Sequence, residues 1–290
     1  MEEFWTTILD GYIGYANYLW GELLHPSFHS YLWSLILISL FVWALEIFRP
    51  WRKNQPIIRE DFWLDGFYMF FNFFIFSLLI FNAASLLSEK MLMKSLALFG
   101  ITRLDVVNLS GLPHYLQLFI YFVARDFIHW NIHRLLHRND RLWQFHKVHH
   151  SVKQMGFAAH LRFHWMENAV YRTLEYLPMS LLGFSVSDFF LVHIIALTIG
   201  HLNHANFRYP LGSLKYILNN PEMHIWHHAR HLPPDRPYGV NYGISLSIWD
   251  YLFGQAYIPS DGRDIELGFP DLEKFPGDFI HQLIFGFKEK

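Results

Sequence analysis

"LPHYLQLFIYFVARDFIHWNIHRLLHRND", residues 112–140, begins as apolar as a membrane span and ends as a ladder of imidazoles. His129, His133 and His137 recur every four residues, so on a helix they share one face. Two such rings can hold one metal ion between them. The next segment, "RLWQFHKVHHS" (141–151), sets His146, His149 and His150 in an H-x-x-H-H spacing, and "NNPEMHIWHHAR" (219–230) repeats it at His224, His227 and His228. Positions i, i+3 and i+4 again lie on one face. A solvated basic face would use Lys or Arg, whereas His is mostly neutral at pH 7 and available as a ligand. The alternative for a single pair, snorkelling or helix-end capping, does not account for three clusters.

Composition places these clusters in a membrane protein. Half of the 290 residues are apolar (52%), 29 are Phe and 17% are charged, below the roughly 25% usual in soluble domains. Apolar runs of about the length of a spanning helix occur at 31–48 and 67–87, and a third at 112–127 enters at Pro113. The stretch 169–200 is interrupted by Arg172, Glu175 and Pro178 and reads as a short hairpin. Residues 1–30 contain no Lys or Arg, while Arg49, Arg52, Lys53 and Arg59 follow the first span. The positive-inside rule then puts the N-terminus outside and the histidine clusters on the cytoplasmic face. Lys90, Lys94 and Arg103 weaken that bias without reversing it. The acidic start, "MEEF", lacks the basic region of a cleaved signal peptide. The expected fold is all-α: a polytopic membrane helical bundle with a cytoplasmic, histidine-rich, metal-binding cap. Its expected division is 1–111, with two spans; 112–260, catalytic; and 261–290, a cytoplasmic tail.

Other classes are disfavoured. With no Cys there are no thiolate zinc sites, Cys-held iron–sulfur clusters or Cys nucleophiles in this sequence. A net charge of −2 without a basic stripe argues against nucleic acid as a partner. A metal transporter would need ionisable residues along a path through the spans, and Glu46, Arg172, Glu175, Asp188 and His193 lack ligand spacing. All-imidazole ligation suits iron, zinc, copper or nickel, and the number of rings exceeds one ion's capacity, so two ions are expected. His164 in "LRFHWME" and His204 in "HLNHANF" are further ligand candidates. His129, His160 and His201 are candidates as ligands or supports, and Asp126, Glu167 and Asp250 as supporting acids.

The order H-x-x-x-H, H-x-x-H-H, H-x-x-H-H resembles the fatty acid hydroxylase (sterol desaturase) superfamily over roughly residues 115–257. "DFIHWNIHRLLHR", "LWQFHKVHHS", "LRFHWME", "HAN" and "NNPEMHIWHHAR" followed by "NYGISLSIWDYLFG" carry the resemblance. It makes His133 and His137 the first motif pair, with His129 where Tyr is usual. Gly239 stands where many members have Asp, Trp165 where Pro is usual and Gln255 where Thr is common. The resemblance implies two iron ions held by histidines and O2-dependent hydroxylation of a lipid C–H bond, with desaturation as the alternative within the superfamily. It implies no catalytic residue beyond the ligands. Zinc can replace iron on overexpression, since it stands higher in the affinity order. Electrons must come from a separate ferredoxin, cytochrome or reductase, because the sequence has no flavin or haem motif, and Arg138, Arg141 and Lys147 are candidates to meet it. A reporter fused to the C-terminus is expected to be active only in the cytoplasm; activity outside would overturn this orientation.

Overall fold

A computed structural model describes residues 2–27, 30–81, 90, 93–98, 100, 109, 111–180 and 186–287. Helices carry the fold, and among the described residues backbone pairing outside them is limited to isolated bridges such as Pro50 with Phe207. The helices are α1 (Glu2–Leu24), α2 (Tyr31–Phe48), α3 (Phe62–Phe70), α4 (His114–Arg138), α5 (Asp140–His150), α6 (Trp165–Ser180), α7 (Val186–His204), α8 (Pro221–His227), α9 (Ile248–Leu252) and α10 (Phe279–Leu283). The expectation of an all-α chain is met.

The membrane spans are only partly matched. Helix α2 is the one described helix both long and apolar enough to cross a bilayer. The expected span 67–87 begins in α3 and continues as a π-helix over Phe71–Phe81; the rest of it lies outside the described residues. The third expected span is the first half of α4, whose 25 residues run unbroken from the apolar start into the histidine ladder. Its length suffices, but Arg125, Asp126 and the imidazoles lower its apolarity. The 169–200 stretch forms α6 and α7, and the connecting residues 181–185 lie outside the described residues.

Short polar signals aim the histidine-bearing helices. Asn139 is extended (φ −99°, ψ 116°), and its side chain accepts from the Arg141 and Leu142 N–H groups, both at 3.1 Å. It ends α4 and caps α5, as Asn does at helix starts. The chain thereby folds α5 back onto α4. Asn220 caps α8 through the Met223 N–H (2.9 Å), with Pro221 in the first turn where its missing N–H costs nothing. Helix α7 packs on α2, α8 and the 3-10 turn Phe157–Leu161. Gly200 permits that turn to approach, because a Cβ there would lie 2.2 Å from the His160 ring.

Two buried polar junctions tie the apolar helices to the histidine region. The Glu46 carboxylate, at the end of α2, accepts from the Phe157 N–H (2.8 Å) and the Asn206 N–H (2.7 Å). Asp65 on α3 sits between Arg59 (2.6 Å) and Arg162 (3.3 Å), and Arg162 also reaches Asp61 (2.8 Å). Both arginines and Asp65 are buried. Removing the acid would leave the buried Arg59 guanidinium without its carboxylate and Arg162 with Asp61 alone. Asp65→Ala is expected to cost about 3–5 kcal/mol, read as a fall of roughly 6 °C or more in the thermal midpoint of detergent-extracted protein; an unchanged midpoint would show that this junction is dispensable.

Candidate metal centre

The fold gathers nine of the ten expected ligands. His133 and His137 from α4, His146 and His150 from α5 and His227 from α8 form one group; His149, His204, His224 and His228 form a second. Within each group one nitrogen per ring lies within 4.8 Å of all the others, and every ring is buried. The groups abut, with the His150 and His228 rings stacked at 4.4 Å.

The hydrogen-bond pattern shows what the groups accommodate. His133 Nδ1 donates to the Tyr242 carbonyl (2.7 Å), and His146 Nδ1 contacts a Glu167 carboxylate oxygen (2.9 Å). The His133 proton thus sits on Nδ1, and its Nε2 turns a lone pair toward His146 Nε2 at 3.2 Å. His204 Nδ1 donates to Gly200 O (2.8 Å), which leaves its Nε2 as a lone pair 3.0 Å from His224 Nε2 and 3.4 Å from His149 Nε2. A shared cation would satisfy the nitrogens of each close pair. Two nitrogens about 2.1 Å from one ion, at octahedral or tetrahedral angles, lie about 3.0–3.4 Å apart. The residues fit a pair of transition-metal ions.

Electrostatics keep the rings ready to bind. Burial pushes the clustered imidazoles down from their usual 6.5, His227 to about 4 and His204 to about 3, and burial with the charges its neighbours would carry pushes His133 well down too. At neutral pH all are ligands rather than cations.

The remaining candidates take other places. His164 is outside both groups: its Nε2 donates to the Leu283 carbonyl (2.9 Å) and its Nδ1 accepts from the Met166 N–H (3.1 Å), joining α10 to the start of α6. His129 lies a turn before His133, bonded to Glu175 and stacked on Tyr171 at 4.4 Å. Glu175 also pairs with Arg125 at 3.0 Å. His160 and His201 bond to each other (2.8 Å), and His201 continues to Ser39 (3.1 Å). Asp126 accepts from the Ser245 and Leu246 N–H groups and from Trp249 Nε1 (2.9 Å). Asp250 accepts from Trp130 Nε1 (2.9 Å), Tyr242 N (2.9 Å) and Gly243 N (2.8 Å), while burial raises its carboxyl to about 6.

Sequence reasoning missed the segment 238–242. Tyr238 O accepts from His137 (3.0 Å), Val240 O from His227 (2.8 Å) and Tyr242 O from His133 (2.7 Å). A carbonyl leaves no mark in a sequence. The residues between do: Gly239 at φ +128° and Asn241 at φ +54° are types that tolerate positive φ.

Acid should dismantle the site. An unfolded His takes a proton near pH 6.5, whereas the folded rings refuse it until about 3–4 where a value is resolved. The unfolded chain therefore binds more protons between those limits, and stability falls as pH drops through 6.5. Bound metal should leave over the same window. Thermal midpoint and metal content are expected to fall together between about pH 7.5 and 5, and a flat profile would contradict the assignment.

Comparison with known proteins agrees with this geometry. The fatty acid hydroxylase family model matches residues 118–255. An ornithine lipid hydroxylase of Rhizobium tropici is 32% identical over 178 residues, 61% of this chain and 52% of the relative. An alkylglycerol monooxygenase of Xenopus tropicalis is 32% identical over 142 residues, 48% of this chain and 30% of the relative. A very-long-chain aldehyde decarbonylase of Oryza sativa subsp. japonica is 29% identical, covering 48% of this chain and 45% of its own length. The chain thus spans about half of the first of these relatives and less of the others. No solved structure matches. Residues 118–255, which contain all nine clustered histidines, belong to the fatty acid hydroxylase family.

Proposed function

We propose that this protein is an integral membrane di-iron oxygenase that uses O2 and external electrons to hydroxylate a C–H bond of a lipid. The observation that carries the reading is the pair of buried imidazole groups in which one nitrogen per ring converges to within 4.8 Å of all the others. The five-ring group and the four-ring group would each hold one iron. Bound iron would supply the oxidant that an unactivated C–H bond requires and that no side chain provides.

The chain's own residues do the rest. The Tyr238, Val240 and Tyr242 carbonyls and Glu167 fix ring orientation. The buried Tyr242 ring lies against His133, His137 and His227 and shields them from water. Relatives that hydroxylate ornithine lipid and oxidise alkylglycerol support a lipid substrate. So do exposed apolar side chains on α2 (Leu37, Leu40, Phe41, Phe48), α3 (Trp63, Phe67, Phe70) and α4 (Tyr115, Phe119), which suit a bilayer.

The domain reading assigns 1–111 to the membrane, 112–260 to catalysis and 261–290 to a cytoplasmic C-terminal tail. Orientation follows the Lys and Arg bias, with the metal centre on the cytoplasmic face. A separate electron donor would approach there. Behind the segment 238–242 a cavity of about 410 Å³ is lined by Arg138, Arg236, Tyr238 and Tyr242. Its two arginines outnumber the Asp235 carboxylate and suit an acidic partner, and its lining residues Tyr238 and Tyr242 both contact His137.

The test is isotopic. Membranes containing the chain, given 18O2 and a reductant, should yield a lipid that is absent from membranes without it and carries one 18O atom. An unsaturated product without the label would turn the reading to desaturation. His137→Ala and His227→Ala should each lower product by about 100-fold or more, since even supporting residues of metal sites change affinity or activity 10–100-fold. His281→Ala, at an exposed Asp278 contact, should not.

A further inference from the structure

We propose that the two groups hold their ions unequally: the segment 238–242 makes the five-histidine position the tight one and leaves the four-histidine position exchangeable. The inference rests on the metal reading above.

The difference lies at the nitrogen of each ring that faces away from its group. In the first group, four of the five rings have an acceptor there. His137, His227 and His133 use alternate carbonyls of one segment, Tyr238, Val240 and Tyr242, and His146 uses Glu167. The positive φ of Gly239 and Asn241 bends the backbone between those carbonyls. A Cβ on Gly239 would meet His137 Nδ1 and the Tyr242 hydroxyl, each at 3.1 Å.

The segment is itself pinned. The Asn241 amide donates to Met223 O (2.8 Å) and Tyr257 O (2.7 Å), and its oxygen accepts from the Tyr257 N–H (2.7 Å). Asp250 holds the Tyr242 and Gly243 N–H groups. Three ligands from two helices thus share one rigid support.

In the second group only His204 has such an acceptor, Gly200 O. The outward Nδ1 atoms of His224 and His228 are buried with no hydrogen-bond partner among the described residues. His149 lies against the Arg162 backbone without a hydrogen bond of ordinary geometry. An acceptor at Nδ1 fixes the tautomer, stops ring rotation and makes Nε2 more basic, and removing one such support costs about 10–100-fold in metal affinity. With one more ligand and three more supports, the first position should release its ion far more slowly.

The full chain in lipid nanodiscs, loaded with cobalt(II) and then given excess EDTA, tests this. Bound cobalt is followed by visible absorption and elemental analysis. About two equivalents should bind and leave in two equal phases, the second at least about 10-fold slower. His224→Ala should keep only the slow phase and His227→Ala only the fast one. Gly239→Ala and Asn241→Gly should accelerate the slow phase and leave the fast one as it is, which a merely structural loss would not do. Two equivalents released in a single phase would overturn the inference and spare the metal centre. No cobalt bound to folded protein would overturn both.

Discussion

Everything in this protein is arranged around nine imidazoles brought together in a dry interior with their nitrogens turned toward one another. Nine neutral rings have lost the water that would have solvated their inward nitrogens. Bound metal would convert that cost into coordination. The binding free energy of the ions is then also folding free energy, since no such site exists in an unfolded chain. The rest of the architecture keeps the rings converged, and the polar junctions show how. Glu46 and Asp65 sit where apolar helices meet the histidine region, and each holds groups far apart in sequence.

Much of the centre was legible because helical spacing converts directly into geometry. Both H-x-x-H-H clusters and the pair His133 and His137 stand where a 3.6-residue period puts them. His204 followed from its place after the hairpin. His164 illustrates the limit: what occupies its Nε2 is a backbone carbonyl 119 residues away, in a C-terminal helix that no local pattern links to it. His129 likewise has the right periodicity but meets Glu175, a partner set by the packing of α4 on α6. Asp126, Glu167 and Asp250 were read as supporting acids from proximity in sequence. Glu167 meets a ligand ring, Asp250 braces the Tyr242 backbone to which His133 bonds, and Asp126 holds the backbone just beyond it at Ser245 and Leu246.

The fold was legible in class and less so in its membrane bounds. Hydropathy found α2 cleanly because its 18 residues carry a single charged group, Glu46, and that near the end. It divides α4 poorly, since that helix serves as an apolar column and as a ligand-bearing arm with no break between. A span that must also present imidazoles cannot be uniformly apolar.

Helices α5 and α8 each supply both groups: α5 gives His146 and His150 to one and His149 to the other, while α8 and the residue after it give His227 to the first and His224 and His228 to the second. Each helix therefore works as a ruler laid across two seats. The gap between the ions is graduated in helical rise and twist, about 1.5 Å and 100° per residue, and not in the pliable reach of loops. Loops elsewhere can lengthen or shorten without changing that gap. A single residue inserted within either H-x-x-H-H run would swing the following rings by a quarter turn and part the seats. For that gap to hold, heredity must copy the spacing of these two five-residue runs as it stands.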